Sequence, residues 1–295
     1  MNLVCRNRLA AVVFSLAASA AALPGNTLAA DDPLTTRVAA IEQSLNARLG
    51  VAVIDTGTGR EWAYRGNERF PMMSTFKPLL CSLLLSQVDQ GREMLDRRIE
   101  IRPDDLLEHA PVAGKHVGKA GMSLGELCEA AITQSDNTAA NLVLERVGGP
   151  ARVTAFLRSL GDSKTRLDRN EPTLNEARPG DERDTTMPVA MAGSLKQLVL
   201  GQTLSPASRR QLTDWLVANR TGDAKIRAGL PAGWRVGDKT GSGANGSMND
   251  VAVIWPAGRK PVVLAIFITG TGASVAARNA AMADITRALV DTLPH

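Results

Sequence analysis

The chain has 295 residues, 44% of them hydrophobic and 22% charged, which suits an ordinary globular chain of one or two domains. Its 34 basic and 30 acidic residues leave a net charge of +4, with no polybasic run and no aromatic–basic interleaving. That balance gives no electrostatic case for nucleic acid or anionic membranes, and three histidines without His-x-His or His-Glu-x-x-His spacing give none for metal catalysis.

Arg6 and Arg8 precede "LAAVVFSLAASAAALPG", an apolar stretch too short and alanine-rich for a good membrane span. Small residues follow in "NTLAADD". The pattern predicts a secretory signal peptide over residues 1–29, cut near Ala29 or Ala30; a membrane anchor is the competing reading. Cleavage would remove Cys5 and lower the net charge to +2. Cys81 and Cys128 remain. An even pair in an exported chain reads as a disulfide, worth about 4 kcal/mol in the chain-entropy account, with two buried thiols as the other reading.

After the leader, "TRVAAIEQSLNARLG" predicts a helix ending at Gly50, and "VAVIDTGTGREWAY" predicts two strands about a turn at Thr56–Gly59. The middle is mostly helical: "SLGELCEAAITQ", "TAANLVLERVGG" and "PARVTAFLRSLG" all space apolar residues as helices do, and the last two close on glycine. Next comes "RLDRNEPTLNEARPGDERD", polar and aperiodic, the kind of long connection that usually carries function. Strands return in "WRVGDKTGS", "NDVAVIWPAG" and "KPVVLAIFITG", the last two a hairpin about Pro256–Lys260, and "SVAARNAAMADITRALVDTL" closes the chain as a helix. Strands at both ends with helices between predict a discontinuous α/β domain, residues 30–73 and 221–295. Its antiparallel sheet is flanked by helices, with an all-α domain of residues 74–220 inserted and the site between the two.

Three short motifs carry chemistry. In "MMSTFKPLL", Ser74 and Lys77 stand three apart on one helical face among apolar neighbours, so the lysine must find partners or lose its proton. Such a lysine is a base beside a hydroxyl. "SDN", Ser135 to Asn137, would aim a hydroxyl and an amide into a cleft from a loop between helices; a helix N-cap is the plainer reading. "KTGSG", from Lys239, offers an ammonium, a hydroxyl and a glycine that admits close approach by a ligand; a protective lysine on an edge strand is the plainer reading there.

In this order, Ser-x-x-Lys, Ser-Asp-Asn and Lys-Thr-Gly resemble the motifs of the penicillin-recognising serine enzymes. "EPTLN", Glu171 to Asn175, is similar to the Glu-x-x-Leu-Asn signature of class A β-lactamases, and the resemblance extends over essentially the whole mature chain, through "ELCEAAITQSDNTAANL" and "TGDAKIRAGLP". It implies an Ω-loop over 169–184 with Arg169 and Asp184 pairing across its neck, a cis bond before Pro172, and a periplasmic, monomeric hydrolase of β-lactams with no cofactor. It also implies roles. Ser74 would be the nucleophile, with Lys77 among Ser74, Ser135 and Glu171; Glu171, steadied by Asn175, would activate the deacylating water. Ser135 would relay a proton to the departing nitrogen, and the Ser74 and Ser242 amides would form the oxyanion hole. Lys239, Thr240, Gly241 and Ser242 would border the substrate carboxylate, and Asn137 its acylamide.

Two positions depart from the usual pattern. Met248 and Asn249 stand where many relatives carry an arginine, so Lys225 is the candidate second cation, a solvated loop lysine being the plain alternative. His109 stands where relatives carry a larger aromatic lining the cleft, or is simply a surface histidine. A DD-peptidase would keep the three motifs without needing Glu171. A non-hydrolytic β-lactam sensor would also lack that carboxylate and would be fused to a membrane segment.

Overall fold

The computed structural model describes Met1 and residues 32–294; the expected signal peptide otherwise lies outside the described residues. In chain order the elements are α1 (Pro33–Leu45), β1 (Arg48–Asp55), β2 (Glu61–Tyr64), β3 (Phe70–Pro71), α2 (Lys77–Asp89), β4 (Arg98–Ile99), β5 (Met122–Ser123), α3 (Leu124–Thr133), α4 (Asn137–Arg146), α5 (Pro150–Ser159), β6 (Thr185–Thr186), α6 (Pro188–Leu200), α7 (Pro206–Val217), β7 (Arg235–Ser242), β8 (Met248–Trp255), β9 (Val262–Thr269) and α8 (Val275–Thr292).

Both ends of the described chain build one antiparallel sheet, ordered β2-β1-β9-β8-β7. The central strand β9 is apolar on both faces because helices cover both. Along β9, Val262, Leu264, Ile266 and Ile268 pack toward α1 and α8, while Val263, Ala265 and Phe267 join the core shared with the central helices. The period of two thus sorts a continuous apolar run into two cores. Within the inserted helices, α2 is apolar nearly all round and buried, and a Cys81–Cys128 disulfide ties it to α3. Discontinuous α/β architecture with a helical insertion is therefore what the chain adopts.

Two details differ from the sequence reading. The first helix ends at Leu45, capped by Asn46 in the left-handed region at φ 44°, and Gly50 lies inside β1. Asparagine tolerates that conformation, so the glycine was not needed as a stop. Small ladders also form, β4 with β5 within the helical segment and β6 of that segment with β3 before it, each two residues deep and too short to leave a periodicity.

Gly50 has a packing role instead. A Cβ there would lie 2.4 Å from Phe70 Cε2 and 2.9 Å from Pro188 Cγ. An alanine at an unstrained glycine normally stabilises by about 0.4–1 kcal/mol, whereas overpacking costs about 1–3 kcal/mol. Gly50→Ala should therefore lower the thermal midpoint, and Phe70→Leu in that background should recover part of the loss. An unchanged or raised midpoint would show that Phe70 gives way freely.

Candidate active site

Ser74 sits in a 3-10 turn, Met73–Phe76, that runs directly into α2. Met73 takes φ +49°, a conformation an L-residue adopts only when its surroundings dictate it. They do so on two sides. A Cβ on Gly241 of β7 would stand 2.9 Å from Met73 Cβ and 3.0 Å from the Met72 carbonyl oxygen, so the strand and the turn lie backbone against backbone. From β8, the Asn249 amide donates to the Pro71 and Met72 carbonyls at 2.8 and 3.0 Å. Ser74 is 9% exposed, and its hydroxyl makes no hydrogen bond among the described residues.

Lys77, one helical turn on, has no solvent exposure. Its ammonium donates to Asn137 Oδ1 at 2.7 Å and the Ser135 carbonyl at 2.8 Å, with Ser135 Oγ at 3.4 Å and Glu171 Oε1 at 3.3 Å. Burial holds this ammonium below the usual lysine range, and the Glu171 carboxylate opposes the shift. Ser135 has φ +57°. The N-cap reading of Ser-Asp-Asn holds, through its aspartate. Asp136 caps α4, accepting from the Ala139 amide at 2.9 Å, while its other oxygen takes the Val112 and Ala113 amides, each at 2.9 Å. With the cap supplied by Asp136, Ser135 and Asn137 turn their polar groups to Lys77 and Lys239.

Across the neck of the 169–184 loop, Arg169 Nε donates to Asp184 Oδ2 at 2.6 Å, and Asp184 Oδ1 takes the Asp168 and Arg169 amides. The Glu171–Pro172 bond is cis. Asn141, to which the sequence assigned no part, grips Glu171 at both backbone groups: Nδ2 donates to its carbonyl at 2.8 Å, and Oδ1 accepts from its amide at 2.9 Å. The carboxylate is then aimed by Asn175 Nδ2, which donates to Oε2 at 2.5 Å. Oε1 lies within ion-pair range of Lys77 but accepts no hydrogen bond among the described residues. The far half of the loop stands over a recess of about 620 Å³ lined by Arg48, Arg69, Arg178 and Arg183. The acids Glu68, Asp181 and Glu182 line it as well, so the recess is walled by both signs of charge.

The third motif lies on β7. Lys239, fully buried, donates to Ser135 Oγ at 3.0 Å and to the Thr240 carbonyl at 2.9 Å. Burial and the neighbouring Lys77 ammonium pull it down to about 7. Ser135 Oγ thus stands between two lysines. Thr240 Oγ1 meets Thr221 Oγ1 at 2.5 Å, and Lys225, 9% exposed, donates to the Thr221 carbonyl at 3.2 Å. The solvated-lysine reading of Lys225 is thereby overturned. Ser242 is exposed at the end of the strand. Beneath, the buried Asp238 carboxylate takes Arg227 at 2.6 Å and Asn219 at 2.7 Å. His109 is exposed on the neighbouring loop; its Nε2 donates to the Gln134 carbonyl at 3.1 Å, and its own carbonyl accepts from the Asn137 amide. Thr221 and Asn141 were not singled out from sequence, and Asn249 was noted only for standing where many relatives carry an arginine, with no role given to it. Asparagines and threonines are common, and only their distance from the motifs in space marks them.

A hydroxyl on a fixed turn, a buried lysine, a bridging serine and an oriented carboxylate make a set suited to acyl transfer. Residues 33–293 match the β-lactamase enzyme family. The chain is 51% identical over 267 residues to β-lactamase AST-1 of Nocardia asteroides, covering 90% of this chain and 85% of that one. It is 48% identical over 285 residues to β-lactamase L2 of Stenotrophomonas maltophilia, covering 94% of each. The solved structure of an ancestral (GNCA) class A β-lactamase superposes with a TM-score of 0.87 at 60% identity, over 88% of this chain and 100% of that one. The chain belongs to the class A β-lactamases, enzymes that hydrolyse the β-lactam ring.

Proposed function

We propose that the protein hydrolyses penicillins, and cephalosporins with them, through an acyl-enzyme on Ser74 that water removes with Glu171 as its base. The observation that carries this is the placement of Glu171: a buried carboxylate, gripped by Asn141 and Asn175, with one oxygen 3.3 Å from Lys77 and open to a further donor. An enzyme that only acylates has no use for such a group.

Ser74 Oγ attacks the lactam carbonyl, and its proton passes to a base, either Lys77 or Glu171 through water. The depressed ammonium of Lys77 is compatible with the first route, and the ion pair with Glu171 with the second. The tetrahedral oxyanion is held by the Ser74 and Ser242 amides, and the close fit of Gly241 on the Met72–Met73 backbone keeps their two segments together. Ser135 Oγ, standing between Lys77 and Lys239, passes a proton to the departing nitrogen. Lys239, Thr240 and Ser242 bind the substrate carboxylate. Lys225 reinforces their potential through Thr221, Asn137 takes the acylamide, and His109 presents its ring at the rim. The protein acts as a monomer in the periplasm, its leader removed near Ala29. Among the described residues no helix is long and apolar enough to cross a membrane.

Two measurements test this. With benzylpenicillin, intact-protein mass should show the wild type returning to its free mass as antibiotic disappears, while Glu171→Ala stays acylated at Ser74. A wild type that stays acylated would instead indicate a penicillin-binding peptidase or a sensor. The second concerns pH. Lys239 must be protonated to hold a carboxylate, and burial beside the Lys77 ammonium pulls it down to about 7. Hence kcat/KM should be highest below that pH and fall above it, with a limiting slope of about one log unit per pH unit. Lys239→Arg, whose charge does not titrate in this range, should lack that alkaline limb. A wild-type profile flat to pH 9 would remove Lys239 from carboxylate binding.

A further inference from the structure

We infer that Asn249 is a positioning residue for the nucleophile: its side-chain amide sets the backbone turn on which Ser74 stands. The inference rests on Ser74 being the residue acylated. Asn249 is fully buried on the face of β8 that looks toward the helices, directly across from Gly241 of β7. Its two N–H donors meet two consecutive carbonyls, Pro71 at 2.8 Å and Met72 at 3.0 Å. That match fixes the orientation of the amide, since a flipped side chain would aim Oδ1 at two carbonyl oxygens. Oδ1 accepts no hydrogen bond among the described residues. A buried acceptor without a partner is a cost, and here the other end of the same amide explains its retention.

The two carbonyls lie immediately before Met73, whose φ of +49° is the strained point of the turn. The Met72 carbonyl also accepts from the Thr75 amide at 3.2 Å and the Thr75 hydroxyl at 2.7 Å, so Asn249 completes a convergence of donors on one oxygen. The turn is held between this convergence and the glycine face of β7, and Ser74 follows Met73 directly. An amide of this length at this register can bind carbonyls i and i+1 together; an apolar side chain would leave both without it.

The test compares Asn249→Ala with Val253→Ala, a truncation four register pairs further along β8 and on the same face. Acylation and deacylation by benzylpenicillin are timed separately by quenched-flow mass spectrometry, well below each thermal midpoint. Wild-type adduct is mapped to Ser74, and Ser74→Ala serves as blank. For Asn249→Ala, acylation should slow by about ten- to a hundred-fold and deacylation by clearly less, as expected when a nucleophile is displaced by about an ångström. Val253→Ala should lose thermal stability with acylation unchanged. Asn249→Asp, which sets carboxylate oxygens against the two carbonyls, should acylate no faster than the alanine variant. The inference fails if Asn249→Ala acylates within twofold of wild type, or if both steps slow equally. Adduct mapping elsewhere than Ser74 would instead sink the nucleophile assignment, so the two failures are distinct.

Discussion

Two lysines without solvent exposure, Lys77 and Lys239, converge on the hydroxyl of Ser135, and much of the site can be read as the answer to that arrangement. An ammonium taken from water must be paired, solvated by dipoles or deprotonated. Lys77 is given Glu171, the Asn137 amide oxygen and a backbone carbonyl; Lys239 receives a hydroxyl, a carbonyl and the more distant field of Asp238 and Asp250. The compensation stops short of full stabilisation, since both groups stay below the ordinary lysine range. A cation left partly uncompensated, beside a hydroxyl, attracts an anionic ligand and exchanges protons readily.

That constraint reaches into the Ω-loop. Glu171 offsets Lys77 from 3.3 Å, and a loop holds a carboxylate at such a distance reproducibly only if its ends and its middle are both fixed. Arg169 and Asp184 fix the ends, while Asn141 and Asn175 fix the residue itself. Between them Leu174 is buried in the core shared with the helices, while the recess behind the far half is walled by guanidinium and carboxylate groups in mutual pairs, such as Arg183 with Asp181 and Arg69 with Glu182. Exposed pairs of this kind contribute little each. The precision near Glu171 therefore comes from buried hydrogen bonds at the neck and to α4, with the outer ion pairs as a weaker fringe.

Much of this was legible in the residues. The apolar runs of β8 and β9, the helical spacing from α3 to α5 and the three motifs placed the fold class and a candidate cleft, because period and spacing survive in one dimension. The end of α1 was misread because asparagine can cap a helix as glycine does, and Gly50 served packing instead. The two-residue ladders had no period to leave. Of the site, Ser74, Lys77, Ser135, Glu171 and Lys239 stood in recognisable patterns, and the structure brings them together. Asn141, Thr221 and Asn249 had no pattern, for each acts on backbone or on a neighbour that only folding brings near.

The strained residues complete the picture. Met73 and Ser135 both have positive φ, at 49° and 57°, and both belong to segments that carry a hydroxyl of the site. Strain of this sort persists only where surrounding contacts over-determine it. Around Met73 these are the carbonyl-binding amide of Asn249 and the close face of Gly241; around Ser135 they are Lys77 on its carbonyl and Asp136 anchoring the start of α4. In each case the restraint comes from an element remote in sequence. Neither turn could hold its geometry as an isolated peptide, so the reactive arrangement is a property of the packed interface between the sheet and the helices.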